Sequence, residues 1–119
     1  MTDAAADEFV REWIDAWNAR DLERVLAHWA DDCVFTSPLA VKLTGDPSGT
    51  VRGKEALRAY WKRGLEVNRD LHFTLERTFV GHDSVVIGYR NHRGQVCAEV
   101  IRLGSDGKAV AGMAHYRDA

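Results

Sequence analysis

One acidic residue stands inside an otherwise apolar, β-prone run, Val96-Cys97-Ala98-Glu99-Val100-Ile101. A carboxyl group in such surroundings must be paired, protonated or wet. Strand alternation places Cys97, Glu99, Ile101 and Leu103 on one face and Ala98, Val100 and Arg102 on the other. Arg102 belongs outside, so Glu99 points inward. There it is either an acid/base or hydrogen-bond donor with a raised pKa, or a structural carboxylate held by hydroxyls, an arginine or an interface partner. His115, in Met113-Ala114-His115-Tyr116, is the candidate second catalytic group, because a carboxylate and an imidazole form a common acid/base unit. Alternation leaves its direction open: if Tyr116 faces inward, His115 faces out.

The other polar candidates carry weaker signals. Ser37 either orients a ligand or forms a turn before Pro38, and Arg52 either clamps an anionic group or is a solvated loop residue. His28, His72, His82 and His92 fall at surfaces and turns, and no His-x-x-x-His occurs, so no metal is expected, nor any cofactor. Cys33 and Cys97 lie far apart without a Cys-x-x-Cys pair, as expected of buried free thiols in a reducing compartment. Trp13, Trp17, Trp29, Phe35, Tyr60, Trp61, Phe73 and Tyr89 make up an aromatic set that is large for so short a chain, and Tyr116 is a further candidate ligand contact. At helical and strand spacing most of it is core, with some N–H and hydroxyl groups turned inward to bind a flat or apolar ligand.

These residues need elements to hold them. Phe9, Trp13 and Trp17 recur at i, i+4, i+8 between charged residues, which predicts an amphipathic helix ending near Asn18–Arg20. Asp21 is placed to cap a second helix burying Leu22, Val25, Leu26 and Trp29, with a turn at Asp31–Asp32. Cys33 to Ser37 reads as a short strand stopped by Pro38, followed by one long loop from Leu43 to Gly53. Gly53 opens a third helix with Leu57, Tyr60, Trp61 and Leu65 as its apolar face. From Leu71 the period changes to 2, and turns at 81–83, 93–94 and 105–107 divide four strands, an antiparallel meander.

A chain of 119 residues, 45% hydrophobic and 29% charged, fits one domain with one core, spanning 1–119 with residues 1–7 as a flexible tail. Its net charge of −2 is spread along the chain without a basic stripe, so nucleic acid is excluded as a partner. The acidic, Ala-rich start carries no secretory signal, and no run of eighteen apolar residues occurs. No membrane partner and a cytoplasmic location are therefore expected.

Several segments in this order carry a family resemblance. They are Trp17-Asn18-Ala19-Arg20-Asp21-Leu22, Ala30-Asp31-Asp32-Cys33-Val34-Phe35, Gly53-Lys54-Glu55-Ala56-Leu57, Asp106-Gly107-Lys108 and Ala114-His115-Tyr116. Together they make the whole chain resemble the nuclear transport factor 2-like superfamily, in its SnoaL-like and ketosteroid-isomerase-like branch. The resemblance implies an α+β fold: a cone-shaped curved antiparallel sheet wrapped around a pocket closed by three N-terminal helices, a cystatin-like α+β barrel. It also implies a homodimer through the outer sheet face, to which Ala98, Val100, Val86 and Ala111 would give apolar character.

A ketosteroid isomerase uses a carboxylate base, a tyrosine and a protonated aspartic acid. On the matching positions this chain has Ser37, Trp13 and Glu99. An indole cannot exchange a proton near neutral pH and a serine is no base unaided, so steroid isomerisation by that mechanism is not expected. The resemblance instead implies a cofactor-independent pocket protein for a small apolar molecule. It is either an isomerase, cyclase or lyase using Glu99 for proton transfer, or a non-catalytic binding or sensing domain.

Overall fold

The computed structural model describes residues 1–117. Helix α1 (Asp3–Asn18) starts at Thr2, whose hydroxyl accepts the Ala5 N–H at 3.1 Å. The segment expected as a tail, residues 1–7, is thus largely the first turns of a helix. Ala6 is fully buried, and the terminal ammonium donates to the carbonyl of His82 at 3.0 Å. The helix closes with Arg20 in the left-handed region at φ 57; Arg20 N–H bonds Trp17 O and Asp21 N–H bonds Ala16 O. Both bonds satisfy carbonyls that the last helical turn leaves open.

Asp21 caps α2 (Leu22–Leu26) as expected, accepting the Arg24 N–H at 3.2 Å. That helix is shorter than its apolar spacing predicts. Trp29 opens strand β1 (Trp29–Thr36) rather than extending the helix, and Asp31–Asp32 lie in the strand rather than in a turn. Sheet pairing explains the change: the Ala109 N–H reaches His28 O at 2.8 Å, and Trp29 pairs with Ala109. The register shift between Trp29 and Val34 absorbs the two aspartates as an irregularity.

The long loop expected after Pro38 is mostly structured. Ser37 accepts the Leu39 N–H, Pro38 takes the first helical position, and α3 (Pro38–Thr44) ends at Gly45 with φ 79. After residues 45–49, β2 (Thr50–Arg52) pairs antiparallel with β1. Helix α4 (Lys54–Val67) buries Leu57, Tyr60, Trp61 and Leu65, the predicted face. The meander follows as β3 (Thr74–Val80), β4 (Ser84–Arg90), β5 (Val96–Leu103) and β6 (Ala109–Arg117).

The six strands form one curved, unclosed sheet in the order β2-β1-β6-β5-β4-β3. Every pair is antiparallel except β1 with β6, which run parallel. The expected α+β architecture is present, with four helices among the described residues in place of three and an open sheet in place of a barrel. The long excursion between β1 and β6 supplies the crossover that a parallel pair requires. No helix among the described residues is long and apolar enough to cross a membrane.

Leu71 and Phe73 precede β3 instead of alternating within it. The Asn18 side chain explains why. Its Nδ2 donates to Phe73 O at 2.9 Å and its Oδ1 accepts the Phe73 N–H at 2.8 Å, so both groups a strand ladder would use are engaged. The sheet's inner face carries Val85, Ile87 and Tyr89 from β4 and Cys97, Glu99 and Ile101 from β5, all buried.

Gly112, opposite Ile101 on β6, lets the aromatic floor approach the strand. A Cβ there would stand 2.6 Å from Trp29 Cη2 and 3.1 Å from Phe35 Cδ1. Gly112→Ala should therefore push Trp29 off its site and cost about 1–3 kcal/mol, the usual penalty of overpacking. Urea denaturation checks this; a variant as stable as the parent would show that Trp29 has room to move.

Candidate functional site

The helices and the inner sheet face enclose a cavity of about 90 Å³. Trp13 and Trp17 of α1 and Tyr60 and Trp61 of α4 form its helical side. Phe35 of β1, Tyr89 of β4, Glu99 of β5 and Tyr116 of β6 form its sheet side, and Phe73 closes it from the segment before β3. The rings interlock: Phe73 and Tyr89 have centroids 4.6 Å apart, Trp13 lies nearly parallel to Phe73 at 5.5 Å, and Trp17 meets Trp61 edge-on at 5.1 Å. Edge-to-face and offset contacts of this kind contribute about 0.5–1.5 kcal/mol per pair beyond their buried area.

Glu99 is the polar centre. Its strand neighbours across the sheet are Ile87 and Ala114. Only 6% of the residue is exposed. The Tyr89 hydroxyl donates to Glu99 Oε1 at 3.2 Å. Burial pushes the Glu99 pKa up to about 8, while the Tyr89 hydrogen bond pulls it back in part. The same burial, with the Glu99 charge second, drives the Tyr89 phenol well above its ordinary value; Tyr116 and Tyr60 move the same way. Cys97, also buried, is pushed up to about 11 and stays a thiol. Near neutral pH the cavity therefore holds neutral groups throughout, with Glu99 as a carboxylic acid.

Ser37 does not line the cavity. It is buried at the start of α3, where its oxygen caps the helix and lies near the Tyr60 and Tyr116 phenols. His115 is not brought to Glu99. It sits opposite Ala98 on the outer face of the sheet, is exposed, and has its Nδ1 3.3 Å from the Ala98 carbonyl. The direction left open by alternation is settled by Ala114, which pairs with Glu99 and faces inward. Arg52 lies in β2 and borders a separate groove with Arg63.

The remaining cavity wall was not apparent from the sequence. Trp29 lines it from β1, Leu39 and Leu43 from α3, and Asn68 and Leu71 from the link after α4. The Ser37-Pro38 start and the i, i+4 spacing of Leu39 and Leu43 were the available signal for α3. The indole Nε1 atoms of Trp17 and Trp29 are buried without a hydrogen-bond partner among the described residues. Such donors cost about 1–3 kcal/mol each until an acceptor meets them.

A family profile for the SnoaL-like domain matches residues 10–117. A SnoaL-like protein of unknown function from Burkholderia thailandensis is 47% identical and superposes with a TM-score of 0.94, covering 98% of this chain and 97% of that one. A protein with a cystatin-like fold from Methylobium petroleophilum superposes at 0.77 with 17% identity, over 100% of this chain and 80% of that one. A structure from Agrobacterium tumefaciens, provisionally described as an isomerase of the SnoaL-like family, does so at 0.76 with 15% identity, over 96% and 98%. No curated protein matches the chain. With the profile spanning nearly all of it, the chain belongs to the SnoaL-like domain family, within the nuclear transport factor 2-like superfamily.

Proposed function

We propose that the cavity binds a small apolar carbonyl compound and that Glu99 moves a proton on it, in an isomerase, cyclase or lyase reaction. One observation carries this reading: a buried carboxylic acid with a pKa near 8 lines an aromatic cavity and receives a hydrogen bond from Tyr89. Because Tyr89 donates to Oε1, the acid's own proton is carried on the other oxygen, available to a ligand. Glu99 gives its proton to a carbonyl oxygen placed there, and the carboxylate so formed takes the adjacent C–H proton, which leaves an enol and restores the acid. A group titrating close to neutral pH can give a proton and take one back within the same cycle. The provisional isomerase description of the Agrobacterium structure agrees with this class.

Steroid isomerisation by the relatives' mechanism is not supported. The Ser37 hydroxyl is engaged in capping α3, and Trp13 packs against Phe73 and Tyr89 with an indole N–H that can donate a hydrogen bond but does not ionise near neutral pH. The second reading, a sequestering or sensing domain, draws on the absence of any ionisable base beside Glu99 among the described lining residues. Proton exchange separates the two. In deuterated buffer, the chain should accelerate α-hydrogen exchange of an aryl methyl ketone, and Glu99→Gln should lower that rate by about 10²-fold or more. Ligand binding without exchange in the parent protein would favour sequestration.

The outer face supports a homodimer, which we also propose. Phe79, Val86, Val100 and Met113 are successive cross-strand partners, forming an apolar row over four strands, with Phe79 and Met113 about half exposed. A row of this kind meets its own copy across a two-fold axis. Sedimentation should give a dimer at micromolar concentration and a monomer for Phe79→Asp; a monomeric parent protein would dismiss the interface.

Titration of Glu99 should also be visible in stability. The folded state keeps the proton to about pH 8, whereas an unfolded glutamate releases it near its model value of 4.5. The native state thus holds more protons between these values, so the Glu99 contribution falls as pH rises through that window and levels off above it. Glu99→Gln removes the effect. Relative to the parent protein, the variant should gain on the order of 3 kcal/mol between pH 5 and pH 9 in urea denaturation. Parallel pH profiles for the two proteins would mean that Glu99 is ionised in the fold.

A further inference from the structure

The cavity opens into a wider vestibule of about 360 Å³, and the two share Leu39, Asn68, Leu71, Phe73, Tyr89 and Tyr116. A ligand in the inner cavity therefore leads outward along one continuous wall. The vestibule adds residues of a different kind: Lys42 from α3, and His92 and Arg93 from the β4–β5 turn. No aspartate or glutamate lines it among the described residues, although the chain as a whole has a net charge of −2. The charge at the mouth thus runs against the charge of the molecule.

The cations are held differently. Lys42 and Arg93 are both exposed, and neither is in an ion pair among the described residues. Arg93 Nη2 donates to the neutral Asn68 side chain at 3.0 Å, which fixes the guanidinium beside the opening while leaving its charge uncompensated. The His92 side chain is only 11% exposed, with Nε2 3.6 Å from the exposed Asp70 carboxylate. Its Nδ1 is buried and has no hydrogen-bond partner among the described residues.

We propose that the vestibule is a carboxylate subsite, so that the ligand is a small apolar acid: a carbonyl group at Glu99, an aromatic or alicyclic body between the tryptophans, and a carboxylate at Lys42 and Arg93. This rests on the reading of the inner cavity given above. A carboxylate fits better than a phosphate, because Asp70 beside His92 offsets part of the positive charge and leaves enough for a single negative group. The planar Arg93 fork matches a carboxylate edge, and Lys42 adds a mobile charge from α3. The acid group would also explain how an apolar ligand is oriented, since an aromatic cavity grips a ring without fixing which end enters first.

The test compares 4-acetylbenzoate with its methyl ester, which share a ketone and a ring and differ in charge. Binding is followed by calorimetry and by quenching of the cavity tryptophans. In the parent protein the acid should bind about tenfold more tightly than the ester at low salt, an advantage that fades as ionic strength rises. The double variant Lys42→Gln with Arg93→Gln changes two exposed residues; it should bring acid and ester to within about threefold of one another. Equal binding of acid and ester by the parent protein would overturn the subsite and leave the inner cavity reading intact. So would an advantage for the acid that survives the double variant. If neither compound binds, the carbonyl reading of the cavity fails and the subsite fails with it.

Discussion

A carboxyl group with almost no access to water dictates the construction around it. Ionised, Glu99 would need several donors or a cation, and what the fold offers is one phenol at 3.2 Å. The charged state is therefore the expensive one, and the group stays protonated up to about pH 8. Its neighbours follow the same logic. Ile87 and Ala114 flank it across the strands, aromatic rings face it from the helices, and the nearby tyrosines are themselves held neutral. Bringing a single carboxylate, lysine or arginine into this cavity would change the protonation of Glu99 before it changed the shape of the site.

The aromatic enclosure that keeps Glu99 dry is built from elements distant in the chain, and two residues after the first helix join them. Asn18 binds the Phe73 backbone in both directions, which pins the ring that closes the cavity on Tyr89 and Trp13. Arg20 turns back from its left-handed position and donates to Leu65 O at 2.6 Å and Asn68 O at 2.9 Å, capping the end of α4. Asn68 then reaches Gly64 O with its amide and receives Arg93 from the β4–β5 turn. A short run of polar side chains thus sets the position of two cavity walls and of one vestibule cation. On the opposite side, Arg24 grips Glu12 with two bonds of 2.8 and 2.6 Å, and Arg58 grips Glu23 with two of 2.9 Å, tying α1 to α2 and α2 to α4.

Much of this was legible in the residues alone, for reasons that differ by element. The α1 and α4 faces were readable because their apolar spacing follows the helical period and each helix buries one stripe. The inward direction of Glu99 came from strict alternation in β5, where Arg102 and Glu99 cannot share a face. What escaped was decided by partners far along the chain. Trp29 fits a helical stripe as well as a strand, and only its pairing with Ala109 in β6 makes the choice. Phe73 fits a strand by period, yet Asn18 withdraws its backbone from the ladder. Helix α3 is seven residues long, and its apolar side chains were too few to outweigh the turn formers around it.

The same comparison shows which chemistry can be carried between relatives. A protonated acid on the fifth strand depends on burial, and burial comes with the fold. The tyrosine and the base that act with such an acid in ketosteroid isomerases are single side chains, and the resemblance sets Trp13 and Ser37 against them. Substitution at those two places leaves the cavity, the neutral acid and the aromatic walls standing, because none of them depends on either group's proton chemistry. Trp13 still packs on Phe73 and Tyr89, and Ser37 still caps α3. A fold that supplies one reactive group by solvation and the rest by point choices can exchange reactions while keeping its architecture. The pocket is for that reason a safer inheritance than the reaction.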